Sequence, residues 1–164
     1  MEKNIIKVIF SIIIVLFLVM LFYKNFITYK IDGNSMNPTL YHSELVLAQR
    51  NPKTINRKDI ISFKKEGYDL AIKRVIGIPG DTIDIKEDGT ILVNNEIIDE
   101  PYLSSKSIDK VEVIFPITLD EDEYFVLGDN RLDSFDSKNY KIGNVKREEI
   151  IAKIIFKLNT FKKL

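Results

Sequence analysis

The longest apolar run in the chain is VIFSIIIVLFLVMLFY, residues 8–23, in which Ser11 is the one clearly polar residue. Adding Ile5, Ile6 and Lys7 gives 19 residues, about 28 Å as a helix, close to the hydrocarbon thickness of a bilayer. Every face of that helix is apolar, which suits a membrane span better than one side of a soluble core. Lys7 can snorkel to one interface, while Tyr23 and Lys24 can anchor the other. A cleavable leader needs a shorter apolar core and a small-x-small exit, whereas this run leaves through YKNFIT. The expectation is an uncleaved anchor over residues 1–24 and one domain over 25–164. Lys3 and Lys7 on one side are balanced by Lys24 and Lys30 on the other, so charge does little to orient the span.

Beyond residue 25 the pattern changes to short β-branched runs. Candidate strands are FITYKI (26–31), ELVLAQR (44–50), DIISF (59–63), LAIKRVIGI (70–78) and DTIDIK (81–86). Further candidates are TILV (90–93), EII (96–98), VEVIF (111–115), EYFVLG (123–128) and IIAKIIFKL (150–158). Asn51-Pro52, Pro79-Gly80, Asp88-Gly89 and Asn94-Asn95 read as turns, and three of them punctuate residues 75–98 as in a meander or paired hairpins. Strands this short and close favour a mostly β, antiparallel barrel or folded sheet over a βαβ fold. SSKSIDK (104–110) reads as an exposed loop, and KLNTFKKL (157–164) as a solvated basic tail.

Composition narrows the chemistry. The 24 basic and 24 acidic residues cancel, so overall charge gives no reason to expect a nucleic-acid partner. Cysteine is absent, which removes disulfides, thiol catalysis and thiolate metal sites. One histidine cannot supply the usual imidazoles of a catalytic metal, and no metal or other cofactor is expected.

GNSMNPTL (33–40) holds Ser35 in a Gly/Pro-rich turn, where a serine is either a turn former or an exposed nucleophile. His42 is the first candidate base. It sits in a polar connection after Tyr41 with no local carboxylate to orient it, so a surface imidazole is the plainer reading. Lys73 is the second. Alternation along 70–78 puts it on one face with Ala71 and Val75, opposite Leu70, Ile72, Arg74 and Ile76. An ordinary lysine (pKa ~10.4) is protonated at neutral pH; lowering it to ~7–8 takes roughly three units, or about 4 kcal/mol of desolvation and hydrogen bonding. The plain alternative is a strand lysine reaching solvent. A third segment, GDNRLDSFDSK (128–138), is dense in hydrogen-bonding groups. It is either a polar connection or a shell around a site, with Ser134 a possible partner for a neutral lysine.

Taken together and in this order, the three segments behind an apolar N-terminal run resemble the bacterial type I signal peptidases. SMNPTL (35–40) is similar to the family's nucleophile box, KRVIGIPGDTI (73–83) to its lysine box and GDNRLDSFDSK to its last box. KDIISF (58–63) is a weaker counterpart of the strand box between them, and DGTILVNNEIIDEPYL (88–103) and GNVKREEIIAKIIF (143–156) extend the likeness.

The resemblance implies a coiled antiparallel sheet around a groove and a Ser/Lys dyad that removes signal peptides from exported preproteins. It makes Ser35 the nucleophile, with its own main-chain N–H toward the oxyanion, and neutral Lys73 the base. Ser134 would orient Lys73, supported by Asp129, Arg131, Asp136, Lys138 and Arg74. Gly33, Asn34, Met36 and Ile72 would bind substrate, which would lie as an added strand between the approach to Ser35 and the Lys73 strand. Partners would be preproteins and the lipid bilayer. The chain would act as a monomer, N-terminus cytoplasmic and catalytic domain extracytoplasmic.

Three positions depart from the pattern. Gly33 replaces a hydroxyl residue found in some relatives, Lys138 replaces the usual arginine, and KDIISF lacks the glycine usual at its start. The alternatives are a peptidase for a narrow substrate set, a non-catalytic tethered relative, or a self-cleaving repressor-type Ser/Lys protein, against which residues 5–23 argue.

Overall fold

The computed structural model describes residues 2–106, 108, 111–158 and 162–163. Helix α1 runs Glu2–Asn25, and its span Asn4–Asn25 is long and apolar enough to cross a membrane. Ser11 Oγ donates to Lys7 O, which satisfies the serine hydroxyl inside the apolar run. The helix ends at Asn25, whose Nδ2 donates to Leu21 O, and the next residue begins strand β1.

Twelve strands follow among the described residues. The first four are β1 (Phe26–Lys30), β2 (Leu45–Arg50), β3 (Ile60–Phe63) and β4 (Ala71–Gly77). Next come β5 (Thr82–Ile85), β6 (Ile91–Val93), β7 (Glu96–Ile97) and β8 (Ile117–Thr118). The last are β9 (Glu123–Leu127), β10 (Val145–Lys146), β11 (Ile150–Lys157) and β12 (Lys162–Lys163). The large sheet has the order β1-β2-β11-β3-β4-β9-β10, with β12 paired to β11; the small one has the order β7-β6-β5-β8. Every pairing is antiparallel, so the fold is mostly β with a curled antiparallel sheet.

The curl is held by three apolar clusters. Val46, Ala48, Ile60 and Ala152 from the large sheet enclose Met36 and Leu40. Ile61, Val75, Val126 and Ile150 form a second cluster, with Ala71 against it. Ile76, Phe125 and Leu127 of the large sheet meet Ile83, Ile91 and Val93 of the small one in the third. Strand β4 therefore sends Val75 into one core and Ile76 into another, as strand alternation dictates. Both faces are covered, so a polar group on β4 is out of water.

Two expectations need correction. VEVIF is not a strand. Pro116 has no N–H to give a ladder and restricts Phe115, and Ile114 is 91% exposed. The segment instead gives a backbone bond from Glu112 N to Lys138 O at 2.9 Å, and sets Phe115 edge-on to Phe125. The pairing passes to Ile117–Thr118, against β5. The tail is also not wholly solvated, since Lys162–Lys163 pair with β11. Residues 107, 109 and 110 of the expected loop and 159–161 and 164 of the expected tail lie outside the described residues.

Candidate active site

Ser35 lies in a hydrogen-bonded turn. Asn37 N donates to Asn34 O at 3.0 Å and Leu40 N to Met36 O at 2.8 Å. Met36 and Leu40, four residues apart, fall on one side of that turn and are 2% and 0% exposed. Each contributes about 2 kcal/mol of burial. Pinning that side leaves Ser35 half-buried at the rim. Gly33, with φ +89°, makes the approach, in a backbone conformation that favours glycine.

Lys73 comes from β4, between β3 and β9. Its residue is 5% exposed, and Nζ is 2.6 Å from Ser35 Oγ. Burial pushes the ammonium down from 10.5 to about 8; the Asp136 carboxylate opposes that fall and the Lys138 cation assists it. Near neutrality the pair thus has a hydroxyl in contact with an amine that can give up its charge.

The 128–138 loop closes around this pair. Asn130 N donates to Ser35 O at 2.9 Å and Asn130 Nδ2 to Asn34 O at 3.3 Å. Gly128 permits the contact, for a Cβ there would lie 2.2 Å from Ser134 Oγ and 2.5 Å from Ser35 O. Asp136 accepts from Gly128 N at 2.9 Å and from Lys138 Nζ at 3.3 Å. Lys138 also donates to Ser134 O, a pairing a point cation can make without a planar fork. Ser134 Oγ is buried beside Gly128 and has no hydrogen-bond partner among the described residues.

Arg74, next to Lys73, grips Asp129 with Nε at 2.8 Å and Nη2 at 2.6 Å. Its Nη1 donates to Lys58 O at 2.8 Å, and Nη2 also reaches Thr39 Oγ1 at 3.2 Å. Asp129 is 1% exposed, so this two-bond clamp is what makes its buried charge tolerable. Arg131 Nε holds Gly128 O at 3.0 Å.

A groove of about 240 Å³ opens beside Ser35, walled by residues 29–33 and by 70–73. Gly33, Met36 and Ile72 line it; Asn34 does not, and serves the turn through its carbonyl. His42 is not in the groove lining. Its Nδ1 accepts from Gly33 N at 3.2 Å and lies 3.4 Å from an Asp32 carboxylate oxygen.

Sequence reasoning missed Glu100, Tyr102 and Thr39 as parts of this shell. The signal for the first two was a glutamate and tyrosine around Pro101, in a hairpin exit read only for its outline.

Residues 2–159 match the family described as Signal peptidase, peptidase S26. The chain is 37% identical over 145 residues to Signal peptidase I V of Bacillus subtilis, across 79% of this chain and 83% of that one. It is 39% identical over 155 residues to Signal peptidase I of Bacillus caldolyticus, across 84% and 81%. A crystal structure of a signal peptidase I from Enterococcus faecalis superimposes with a TM-score of 0.50 at 34% identity, covering 60% of this chain and 94% of that one.

Proposed function

The chain belongs to the signal peptidase family, peptidase S26, whose members are serine endopeptidases that cleave signal peptides, and we propose that Ser35 and Lys73 perform the cleavage as nucleophile and base. The carrying observation is the 2.6 Å contact between Ser35 Oγ and a buried Lys73 Nζ.

In the neutral form Lys73 accepts the Ser35 hydroxyl proton as Oγ attacks the scissile carbonyl. The main-chain N–H of Ser35 faces the charge that develops on the carbonyl oxygen; Gly33 adds no hydroxyl there. The lysine, now an ammonium, gives its proton to the departing amine, leaving an ester on Ser35. Neutral again, it takes a proton from the water that hydrolyses the ester. Asp129, Arg74, Arg131, Asp136 and Lys138 hold the two reacting side chains in place, with the Ser134 hydroxyl beside them. No cofactor enters the cycle.

Substrate enters the groove extended and pairs as an added strand with residues 29–33 on one side and 70–73 on the other. β1 is the terminal strand of its sheet, so one of its edges is open to such pairing. Met36 and Ile72 bound shallow pockets that admit small side chains at −1 and −3. Helix α1 is the membrane anchor, N-terminus cytoplasmic and residues 26–164 outside, and the enzyme works as a monomer.

The test is cleavage of a synthetic preprotein by the purified full-length chain, compared with Ser35→Ala and Lys73→Ala proteins of unchanged thermal stability or better. Both variants should be inactive; a fully active Lys73→Ala enzyme rules out the dyad. Protection of residues 26–164 from protease added to intact spheroplasts would contradict the orientation.

A further inference from the structure

Glu100 and Tyr102 lie on the segment that leaves the small sheet after β7. The Tyr102 hydroxyl donates to Glu100 Oε1 at 2.7 Å. The same carboxylate receives both terminal nitrogens of Arg131, Nη1 to Oε2 at 3.2 Å and Nη2 to Oε1. The Tyr102 ring lies against Arg74, with Cζ 3.9 Å from the ring centroid. Arg74 and Arg131 are 7% and 2% exposed.

A plain staple between the sheets would need only apolar contact, which the third core cluster already provides. These two side chains instead engage the two arginines that flank the reacting pair. Arg74 follows Lys73 and clamps Asp129. Arg131 holds the carbonyl of Gly128, the residue packed on Ser35 O. A guanidinium with a carboxylate in its plane and an aromatic face beneath it is held in both directions. We propose that Tyr102 and Glu100 are positioning residues for signal-peptide cleavage: the Tyr102 ring keeps Arg74 on Asp129, and Glu100 keeps Arg131 on Gly128. The inference rests on the Ser35–Lys73 reading.

The arrangement has an electrostatic consequence that a staple lacks. Lys73 faces the carboxylates of Asp136, Asp133 and Asp129 and the cation of Lys138. Tyr102 faces Glu100, Arg131 and Arg74, and burial, then the Glu100 charge, push its phenol far above the usual range, so it stays a donor. When the ring is removed Arg74 loosens, Asp129 is less fully compensated, and Lys73 keeps its proton to higher pH.

The experiment measures preprotein cleavage by the full chain in detergent micelles, from about pH 6 to 10, with thermal unfolding in parallel. Tyr102→Leu should lower kcat/KM about tenfold at neutral pH, move the acid limb alkaline by about half a unit and lose less in alkali. Tyr102→Phe keeps the aromatic face, so its limb should stay in place with a loss of about threefold at most. Glu100→Gln should lower kcat about fivefold at unchanged KM. A folded Tyr102→Leu enzyme with an unmoved limb and an equal loss at every pH overturns the proposal, as does Tyr102→Phe behaving like Tyr102→Leu. Should Tyr102→Leu not fold, Glu100→Gln decides, and wild-type kcat in that variant overturns the proposal. An active Lys73→Ala enzyme sinks the dyad itself, whereas an inactive one beside indifferent Tyr102 and Glu100 variants sinks this inference alone.

Discussion

Lys73 Nζ touches Ser35 Oγ at 2.6 Å across 38 residues of chain. The turn is anchored by Met36 and Leu40, and β4 is fixed between β3 and β9. Neither side chain has to search for the other. The energy cost falls on the lysine, which gives up hydration to sit there.

Activity should follow the deprotonation of Lys73. With its pKa lowered to about 8, kcat/KM should rise about tenfold per pH unit below pH 8 and level off above it. A pH–rate profile on a preprotein checks this; a limb near the ordinary lysine value would contradict it.

The same shift makes Lys73 a stability liability. The unfolded lysine titrates near 10.5 and the folded one near 8, so between those values the unfolded state binds more protons and stability rises with pH. Below pH 8 the full penalty, on the order of 3 kcal/mol, applies. Lys73→Met should therefore be inactive yet about 1–2 kcal/mol more stable at pH 7, after allowing for the lost bond to Ser35. Denaturant unfolding at pH 7 and 10 should show the gain shrinking in alkali.

Gly128→Ala should abolish cleavage. Its new methyl would meet Ser134 Oγ at 2.2 Å and Ser35 O at 2.5 Å, and the second of these is backbone that cannot step aside. We expect at least a hundredfold loss of kcat/KM and about 2 kcal/mol of destabilisation, read by kinetics and melting together.

His42→Ala should leave kcat within about threefold of wild type, because the imidazole serves Gly33 N rather than Ser35. Loss of activity on the scale of Lys73→Ala would reassign the base.

Lys58→Gly should stabilise the protein. Lys58 has φ +73°, a left-handed conformation that is strained for a side chain with a Cβ. Its carbonyl must still receive Arg74 and its N–H must still reach Val75 O. Glycine adopts that φ freely, and after its larger unfolded-state entropy the net gain should be about 0.5–1 kcal/mol, visible as a rise in Tm.

The strands were legible wherever apolar runs met turn dipeptides: β1 to β7, β9 and β11 all fall inside the expected runs. The two-residue strands β8, β10 and β12 carry no periodicity to read, since their pairing is decided by neighbours distant in sequence. VEVIF misled because β propensity says nothing about whether a partner edge is available. In the site, Ser35, Lys73 and the 128–138 loop could be found because each belongs to a compact motif. Glu100 and Tyr102 could not, because their contacts with Arg131 and Arg74 are made only once the segment after β7 folds back over them. The glycine missing at the start of KDIISF was visible, but only φ at Lys58 shows what its absence costs.

The direct passage from Asn25 to Phe26 has a mechanical consequence. Phe22 and Phe26 stack at 5.1 Å and Arg50 Nε donates to Phe26 O at 3.1 Å, so contacts bridge the joint. The groove wall continues from that same strand. Ser35, about ten residues on, can be no more than about 35 Å from the helix end. The sheet that carries the groove wall is thus joined to the apolar helix with no connecting segment between them. With α1 as the proposed anchor, the depth at which that helix settles sets the height of Ser35, and a signal peptide in the same bilayer is measured from the same datum.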